Sequence, residues 1–242
     1  MRYGIFSDVH SNLEALDAVI EAYKKEKIDK YLCVGDIVGY AANPAECIKK
    51  IEMLAKVTVA GNHDWASVNL FSSDYFNPLA KKAISWTKRN LSQEDIHFLE
   101  GLPLIYKNED LAMVHGTLDA PGDFNYMTDS YIASGTFELL EAGICFVGHT
   151  HVPEVFIKYK DGGISCGRAG EINIEENNKY IINVGSVGQP RDGNPEAAYC
   201  VYDTKEKSVQ IKRINYDIES ARKKIMDSGL PGFEGERLLE GR

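Results

Sequence analysis

Arg2-Tyr3-Gly4-Ile5-Phe6-Ser7-Asp8-Val9-His10-Ser11-Asn12 is the stretch on which the fold turns. Residues 2–7 carry an apolar run of strand character that stops at a small, polar cluster. Leu13, Leu16, Val19, Ile20 and Tyr23 then recur at helical spacing between Asn12 and Glu26. Strand, polar cluster and helix in that order make a unit of an α/β fold. The junction recurs down the chain. Residues 30–34 end at Gly35-Asp36, and residues 56–60 end at Gly61-Asn62-His63-Asp64. Residues 111–115 end at Val114-His115-Gly116, and residues 144–148 end at Gly148-His149-Thr150-His151. Five of the six histidines lie in these clusters; His97, in a helical stretch, does not and is expected on or near the surface.

Between the junctions, Pro44 starts a helix that runs to Leu54, and residues 78–99 read as two helices broken at Leu91-Ser92-Gln93-Glu94. Another helix is expected around residues 130–141. The character changes after His151. Residues 154–159, 180–184, 197–203 and 208–214 read as strands joined by short polar turns. A closing helix follows at 217–228, then a tail containing glycine and proline. The acidic run Glu171 to Glu176 reads as a solvated hairpin edge. Strand–helix units first and hairpins later predict an α/β protein of two sheets covered by helices. Residues 1–242 are expected to form a single domain, with a ligand-bearing strand–helix half (1–151) and a hairpin-rich half (152–242).

The composition, 44% apolar and 26% charged, is that of a soluble globular protein. No apolar run approaches the ~18–20 residues that cross a bilayer. The chain begins directly with a strand, so a cytoplasmic location is expected. A formal charge of −9 disfavours long nucleic acid as a partner. The cysteines, five in number, show no CxxC spacing; Cys33, Cys145 and Cys200 sit in apolar runs and read as small buried hydrophobes.

Imidazole, carboxylate and amide oxygen together are the ligand set of a hard-to-borderline divalent metal site. Asp8 and His10 are one residue apart, as are His149 and His151. If the backbone stays extended there, each pair presents two ligands on one side. Asp8, His10, Asp36, Asn62, His115, His149 and His151 supply seven side chains, enough for two ions when one carboxylate bridges. No cysteine is among them, which favours Mn²⁺, iron or Zn²⁺. Such a centre attracts phosphate despite the acidic surface. A bridging water that loses its proton near neutral pH would be the nucleophile. His63, left over once ligands are assigned, is the candidate general acid, with Asp64 beside it. Tyr40, Phe124 and Tyr126 could stack on a nucleobase, although packing of their loops is the commoner role for such rings.

At these residues the chain resembles the calcineurin-like metallophosphoesterases. The order of Asp8-Val9-His10, Gly35-Asp36, Gly61-Asn62-His63-Asp64, His115 and Gly148-His149-Thr150-His151 matches that family's motifs. The loop from Asn183 to Arg191 is similar to a late loop in its small bacterial and archaeal phosphodiesterase-type members. The resemblance implies a two-sheet sandwich flanked by helices on both sides, α/β/β/α. It implies one ion on Asp8, His10, Asp36 and His151, and a second on Asp36, Asn62, His115 and His149. Mn²⁺ is the expected metal, with iron, Zn²⁺, Ni²⁺ and Co²⁺ as alternatives. It implies His63 as catalytic histidine, Asp64 as the residue that orients it, and Asn12 as a contact to substrate phosphate. Protein phosphatases and several diadenosine tetraphosphatases of the family continue the second motif with an aspartate and an arginine. Gly35-Asp36-Ile37-Val38-Gly39-Tyr40 has neither, so a phosphate-binding arginine must come from elsewhere, and Arg191 is the candidate. The expected activity is hydrolysis of a small phosphodiester or nucleotide-type ester. The alternatives are a dinucleoside polyphosphate hydrolase, a phosphoprotein or phosphomonoester phosphatase, and a non-catalytic binding module on the same fold. No membrane partner is expected, and a homo-oligomer stays open.

Overall fold

A computed structural model describes residues 1–242. In chain order the elements are β1 (Arg2–Phe6), α1 (Leu13–Tyr23), β2 (Lys30–Cys33), α2 (Pro44–Leu54), β3 (Val57–Thr58) and α3 (Asn62–Ser67). Next come α4 (Pro78–Asn90), α5 (Gln93–Glu100), β4 (Ile105–Lys107), β5 (Ala112–Val114), α6 (Ser130–Leu139) and β6 (Ile144–Val147). The remainder is β7 (Glu154–Lys158), β8 (Ile164–Arg168), β9 (Glu171–Asn173), β10 (Lys179–Asn183), β11 (Ala197–Asp203), β12 (Ser208–Ile214), α7 (Ile218–Asp227) and α8 (Gly232–Glu236).

The strands form two mixed six-stranded sheets, ordered β3-β2-β1-β11-β12-β9 and β4-β5-β6-β10-β7-β8. Period-two alternation sorts their side chains between layers. Tyr3 and Ile5 of β1, Tyr180 and Ile182 of β10, and Cys200 and Tyr202 of β11 turn into the layer between the sheets. Phe6, Tyr199 and Val201 turn outward to meet Leu16, Val19, Ile48 and Ile51 of α1 and α2. Ile181, Cys145 and Phe156 turn outward to meet Phe137 of α6. Helix, sheet, sheet, helix is the predicted α/β/β/α order.

Sequence reading passed over three strands. β4 is short, β8 is mostly exposed, and β9 is a three-residue edge strand within the acidic run read as a solvated hairpin edge. Only Ile172 of β9 is buried, too little apolar patterning to announce a strand. The break at residue 91–94 is where it was read: Ser92 caps α5 and Asp95 completes the capping box. His97 is exposed on α5, and Cys33, Cys145 and Cys200 are buried.

β1, β2 and β3 run parallel, and so do β5, β6 and β10. The carboxyl ends of β1, β2, β3, β5 and β6 carry the five polar clusters, and that of β10 leads into the Asn183–Arg191 loop. The loops are laced into one rim: Asp8 N–H donates to Gly35 O at 2.9 Å, Val187 N–H to Ser7 O at 3.0 Å, and Gly148 N–H to His115 O at 3.0 Å.

Candidate metal centre

Backbone shape comes first at this rim. Asp8 (φ +53°), His10 (+48°), Asp36 (+52°), His149 (+71°) and His151 (+62°) all adopt the left-handed conformation. The expectation of extended backbone at the Asp8/His10 and His149/His151 pairs is therefore corrected. Hydrogen bonds to the neighbouring loop, such as His10 N–H to Asp36 O at 3.0 Å, curl the chain there. Each such residue costs roughly 1–3 kcal/mol, a strain that surrounding structure must hold. Gly61 is required for a different reason: a Cβ there would land on the Asp36 carboxylate.

The curled loops bring the side chains together. Two groups of ligand atoms lie within 4.8 Å of one another: Asp8, His10, Asp36 and His151, and Asp36, His115 and His149. Asp36 belongs to both. Its Oδ1 accepts from His63 N–H at 2.8 Å, which turns Oδ2 toward His10 Nε2 (3.5 Å) and His115 Nε2 (3.3 Å). Asp8 uses Oδ2 to accept from His149 N–H at 3.1 Å, which leaves Oδ1 for the centre.

Three imidazoles are oriented from behind by carbonyl oxygens. His10 Nδ1 lies 3.0 Å from Val38 O, His115 Nδ1 2.7 Å from Val34 O, and His151 Nδ1 2.5 Å from Gln189 O. A carbonyl only accepts, so each Nδ1 carries the hydrogen and each Nε2 presents a lone pair in the neutral ring. His10 Nε2 then faces His151 Nε2 at 3.0 Å, and His151 Nε2 faces Asp8 Oδ1 at 3.2 Å. Lone pairs meet lone pairs with no hydrogen between them. Asp8 Oδ1, Asn62 Oδ1 and His115 Nε2 are buried without a hydrogen-bond partner. Cations satisfy all of these atoms at once, and the donor set of imidazole, carboxylate and amide oxygen fits two divalent ions. The chain therefore carries a binuclear metal-binding site.

The protein's own charges act strongly between these groups. Burial would raise the Asp8 carboxyl pKa, but His151 and His115 hold it well below the usual range. Burial opposes Asp36 ionisation likewise, and His115 and His63 overcome it. Burial drives His149 and His151 down to about 3, helped by His115 and by Arg191 respectively. His115 resists burial and is pushed up to about 9 by Asp36 and Asp8.

His63 lies against this cluster. Its ring meets His10 edge-on at 4.8 Å, Tyr40 at 4.4 Å and Phe76 edge-on at 4.8 Å. Its Nδ1 is buried without a partner and rests on Gly39, where any Cβ would displace it. Burial first, then the Arg191 guanidinium, hold His63 neutral against the pull of Asp36.

Asp64 does not orient His63. Its carboxylate accepts from the N–H groups of Ile37 (2.8 Å), Val38 (3.2 Å) and Gly61 (3.0 Å), pinning the Asp36 loop to the start of α3. Burial and then Asp36 push the Asp64 pKa up to about 7, against those three donors. Asn12 is not placed to touch phosphate either. It is fully buried; its Oδ1 caps α1 through Ala15 N–H, and its Nδ2 donates to Gly188 O and Tyr216 OH.

Arg191 is at the centre's edge, 5.6 Å above the Tyr40 ring, with Nη2 donating to Gln189 Oε1 at 2.7 Å. A cavity of about 640 Å³ opens from Asn62, His63 and His149 between the Phe71–Phe76 segment and the Phe124–Tyr126 loop. Phe124 is buried and packs edge-on against Phe71 and Trp65. Tyr126 is half-exposed and stacks on His149 at 4.0 Å. Sequence reading missed Phe71, Tyr75 and Phe76 as cavity walls. They lie in a stretch without helix or strand periodicity, and the only signal was their density of rings.

The calcineurin-like phosphoesterase superfamily domain matches residues 1–207. An uncharacterized protein of Methanocaldococcus jannaschii is 42% identical over 243 aligned residues, 98% of this chain and 97% of that one. The crystal structure of a metallophosphoesterase from Sphaerobacter thermophilus is similar at TM-score 0.87 and 36% identity, covering 100% of this chain and 99% of that one. A hypothetical protein of Pyrococcus horikoshii OT3 shares the fold at TM-score 0.79 and 19% identity, covering 100% and 98%. By its matched domain and by these full-length likenesses, the chain belongs to the calcineurin-like phosphoesterase superfamily.

Proposed function

We propose that residues 1–242 act as one cytoplasmic unit that hydrolyses a small phosphodiester or nucleotide-type phosphate ester. The observation that carries this reading is the convergence of buried ring nitrogens and carboxylate oxygens into two groups that share Asp36. Asp8, His10, Asp36 and His151 would hold one ion; Asp36, Asn62, His115 and His149 the other, with Mn²⁺ the first metal to test. Bound dications supply acidification of water and charge neutralisation of phosphoryl oxygens. Arg191 adds a guanidinium for a phosphoryl oxygen at the rim. His63 is neutral at rest, and the negative charge of an incoming phosphoryl group favours its protonation. It then gives that proton to the leaving oxygen.

The adjoining cavity receives the organic end of the ester. Its walls are Tyr40, Phe71, Tyr75, Phe76, Phe124 and Tyr126, and neither lysine nor arginine lines it. An uncharged planar group suits such walls, whereas a polyphosphate chain would meet no counter-charge and would face Asp123. This favours a nucleotide-type ester with one phosphoryl group over a dinucleoside polyphosphate.

The test is hydrolysis by Mn²⁺-loaded protein of bis(p-nitrophenyl) phosphate, p-nitrophenyl phosphate, cyclic nucleotides and diadenosine tetraphosphate. The expected result is metal-dependent turnover, highest on the diesters and abolished by chelation. His63→Ala should lower kcat by about 10²–10⁴-fold while both ions stay bound. Absence of turnover on every substrate by protein carrying both ions overturns the reading. Loss of metal in His63→Ala would make His63 a ligand.

A further inference from the structure

We infer that the C-terminal segment, residues 229–242, is a working part of the phosphate site, with Glu234 as a positioning residue for Arg191. What Arg191 binds rests on the phosphoesterase reading above; that Glu234 holds it does not.

Glu234 lies in α8, beyond residue 207 where the matched family domain ends. Its side chain is 2% exposed. A carboxylate is kept out of water only where it is paired. Its Oε2 accepts from Gln189 Nε2 at 3.0 Å and lies 3.5 Å from Arg237 Nη1. Gln189 is the hub of the late loop. Its Oε1 accepts from Arg191 Nη2 at 2.7 Å, and its backbone carbonyl accepts from His151 Nδ1 at 2.5 Å. Its N–H donates to Ser186 Oγ at 2.8 Å, and that hydroxyl donates to Asp8 O at 2.8 Å.

The chemistry of a primary amide makes Glu234 decisive. An amide has one accepting oxygen and one donating nitrogen, and the two ends exchange when it flips. A guanidinium only donates, so it needs the oxygen. Glu234, when ionised, only accepts, so it takes the NH₂ end and turns the oxygen toward Arg191. Without that acceptor the flipped amide would set donor against donor and release the guanidinium. Arg191 Nε is itself buried without a partner, which leaves an N–H for a ligand oxygen. The segment is anchored on both sides of Glu234. Leu230 and Leu238 pack with Ala221, Ile225 and Tyr40, and Gly193 N–H donates to Gly241 O at 2.9 Å.

The test compares Glu234→Ala with Glu234→Gln, which keeps an oxygen for the Gln189 amide. With metal-loaded protein, Glu234→Ala should raise KM for bis(p-nitrophenyl) phosphate about tenfold with little change in kcat, the signature of lost binding. Glu234→Gln should restore KM. The second readout needs neither metal nor turnover: the ¹⁵N–¹H Nε signal of Arg191, assigned through Arg191→Lys. It should be sharp in the wild type and in Glu234→Gln, and broadened away in Glu234→Ala. An unchanged Arg191 signal in Glu234→Ala overturns the inference, whatever KM does. A wild type that cleaves no ester defeats the phosphoesterase reading and leaves the signal to decide this one. If Glu234→Ala does not fold, Glu234→Asp withdraws the carboxylate by one methylene and carries the same expectations.

Discussion

The layer between the sheets and the rim at the strand ends are built from the same strands under opposite rules. In the layer, β1 is regular and its alternate residues are apolar, and Tyr3 stacks on Tyr202 at 6.0 Å. Two residues past the end of β1 the backbone turns left-handed, and Asp8 is buried with an unpartnered oxygen. The layer joins regular backbone to apolar side chains, while the rim violates backbone, charge and hydrogen-bonding preferences together. Such violations persist only where the surroundings over-determine them. The layer therefore sets whether the protein folds, and the rim sets what it binds.

Truncation in the layer should give the largest stability effect. Phe146 is fully buried between the sheets, its ring 5.5 Å from that of Tyr202. Phe146→Ala should cost about 3–5 kcal/mol in urea unfolding. The folded fraction should still bind both ions; a variant of wild-type stability that had lost its metals would collapse the distinction.

Acidification of the metal-free protein should act chiefly through the rim. His149 and His151 are held down to about 3 in the folded chain, against an unfolded histidine value near 6.5. Between those values the unfolded state takes protons that the folded state refuses. Stability therefore falls as pH drops below about 6.5, by about 1.4 kcal/mol per pH unit for each ring. His115, raised to about 9, and Asp64, raised to about 7, have the opposite sign: the His115 contribution is complete below about 6.5 and lost as pH rises through 9, and Asp64 offsets part of the loss on the acid side. Urea melts of chelated protein should show greatest stability near pH 6.5 among pH 5, 6.5 and 9. A flat profile between pH 5 and 6.5 would mean that the rings are not held neutral.

Asn12→Ala should give the smallest effect of the three, about 0.5–2 kcal/mol from the lost cap on α1. KM should not change, because the Asn12 side chain is engaged with Ala15, Gly188 and Tyr216. A rise in KM at unchanged stability would restore Asn12 to the phosphate site.

These differences also explain what could be read in the sequence. Periodicity exposes regular structure, so β1, α1, β10, β11 and the capped start of α5 were legible. The ligand set was legible because glycine, histidine and carboxylate recur at strand ends. Asp64 was misread because adjacency to His63 in sequence says nothing of direction: on α3 the carboxylate turns back to the preceding loop. Asn12 was misread because a capping asparagine and a phosphate-binding one look alike in a string of letters. Glu234 carried no signal at all. Its meaning comes from burial against Gln189, 45 residues earlier.

The pairing of β1 with β11 has a consequence for synthesis. Ile5 meets Cys200 and Arg2 meets Asp203 across the middle of the first sheet. At about 5–20 residues per second, a ribosome takes roughly 10–40 s between making one strand and making the other. The last of the clustered histidines, His151, is translated well before β11. For about 2–9 s after His151 is made, the nascent chain carries all its clustered imidazoles on a frame that still lacks β11.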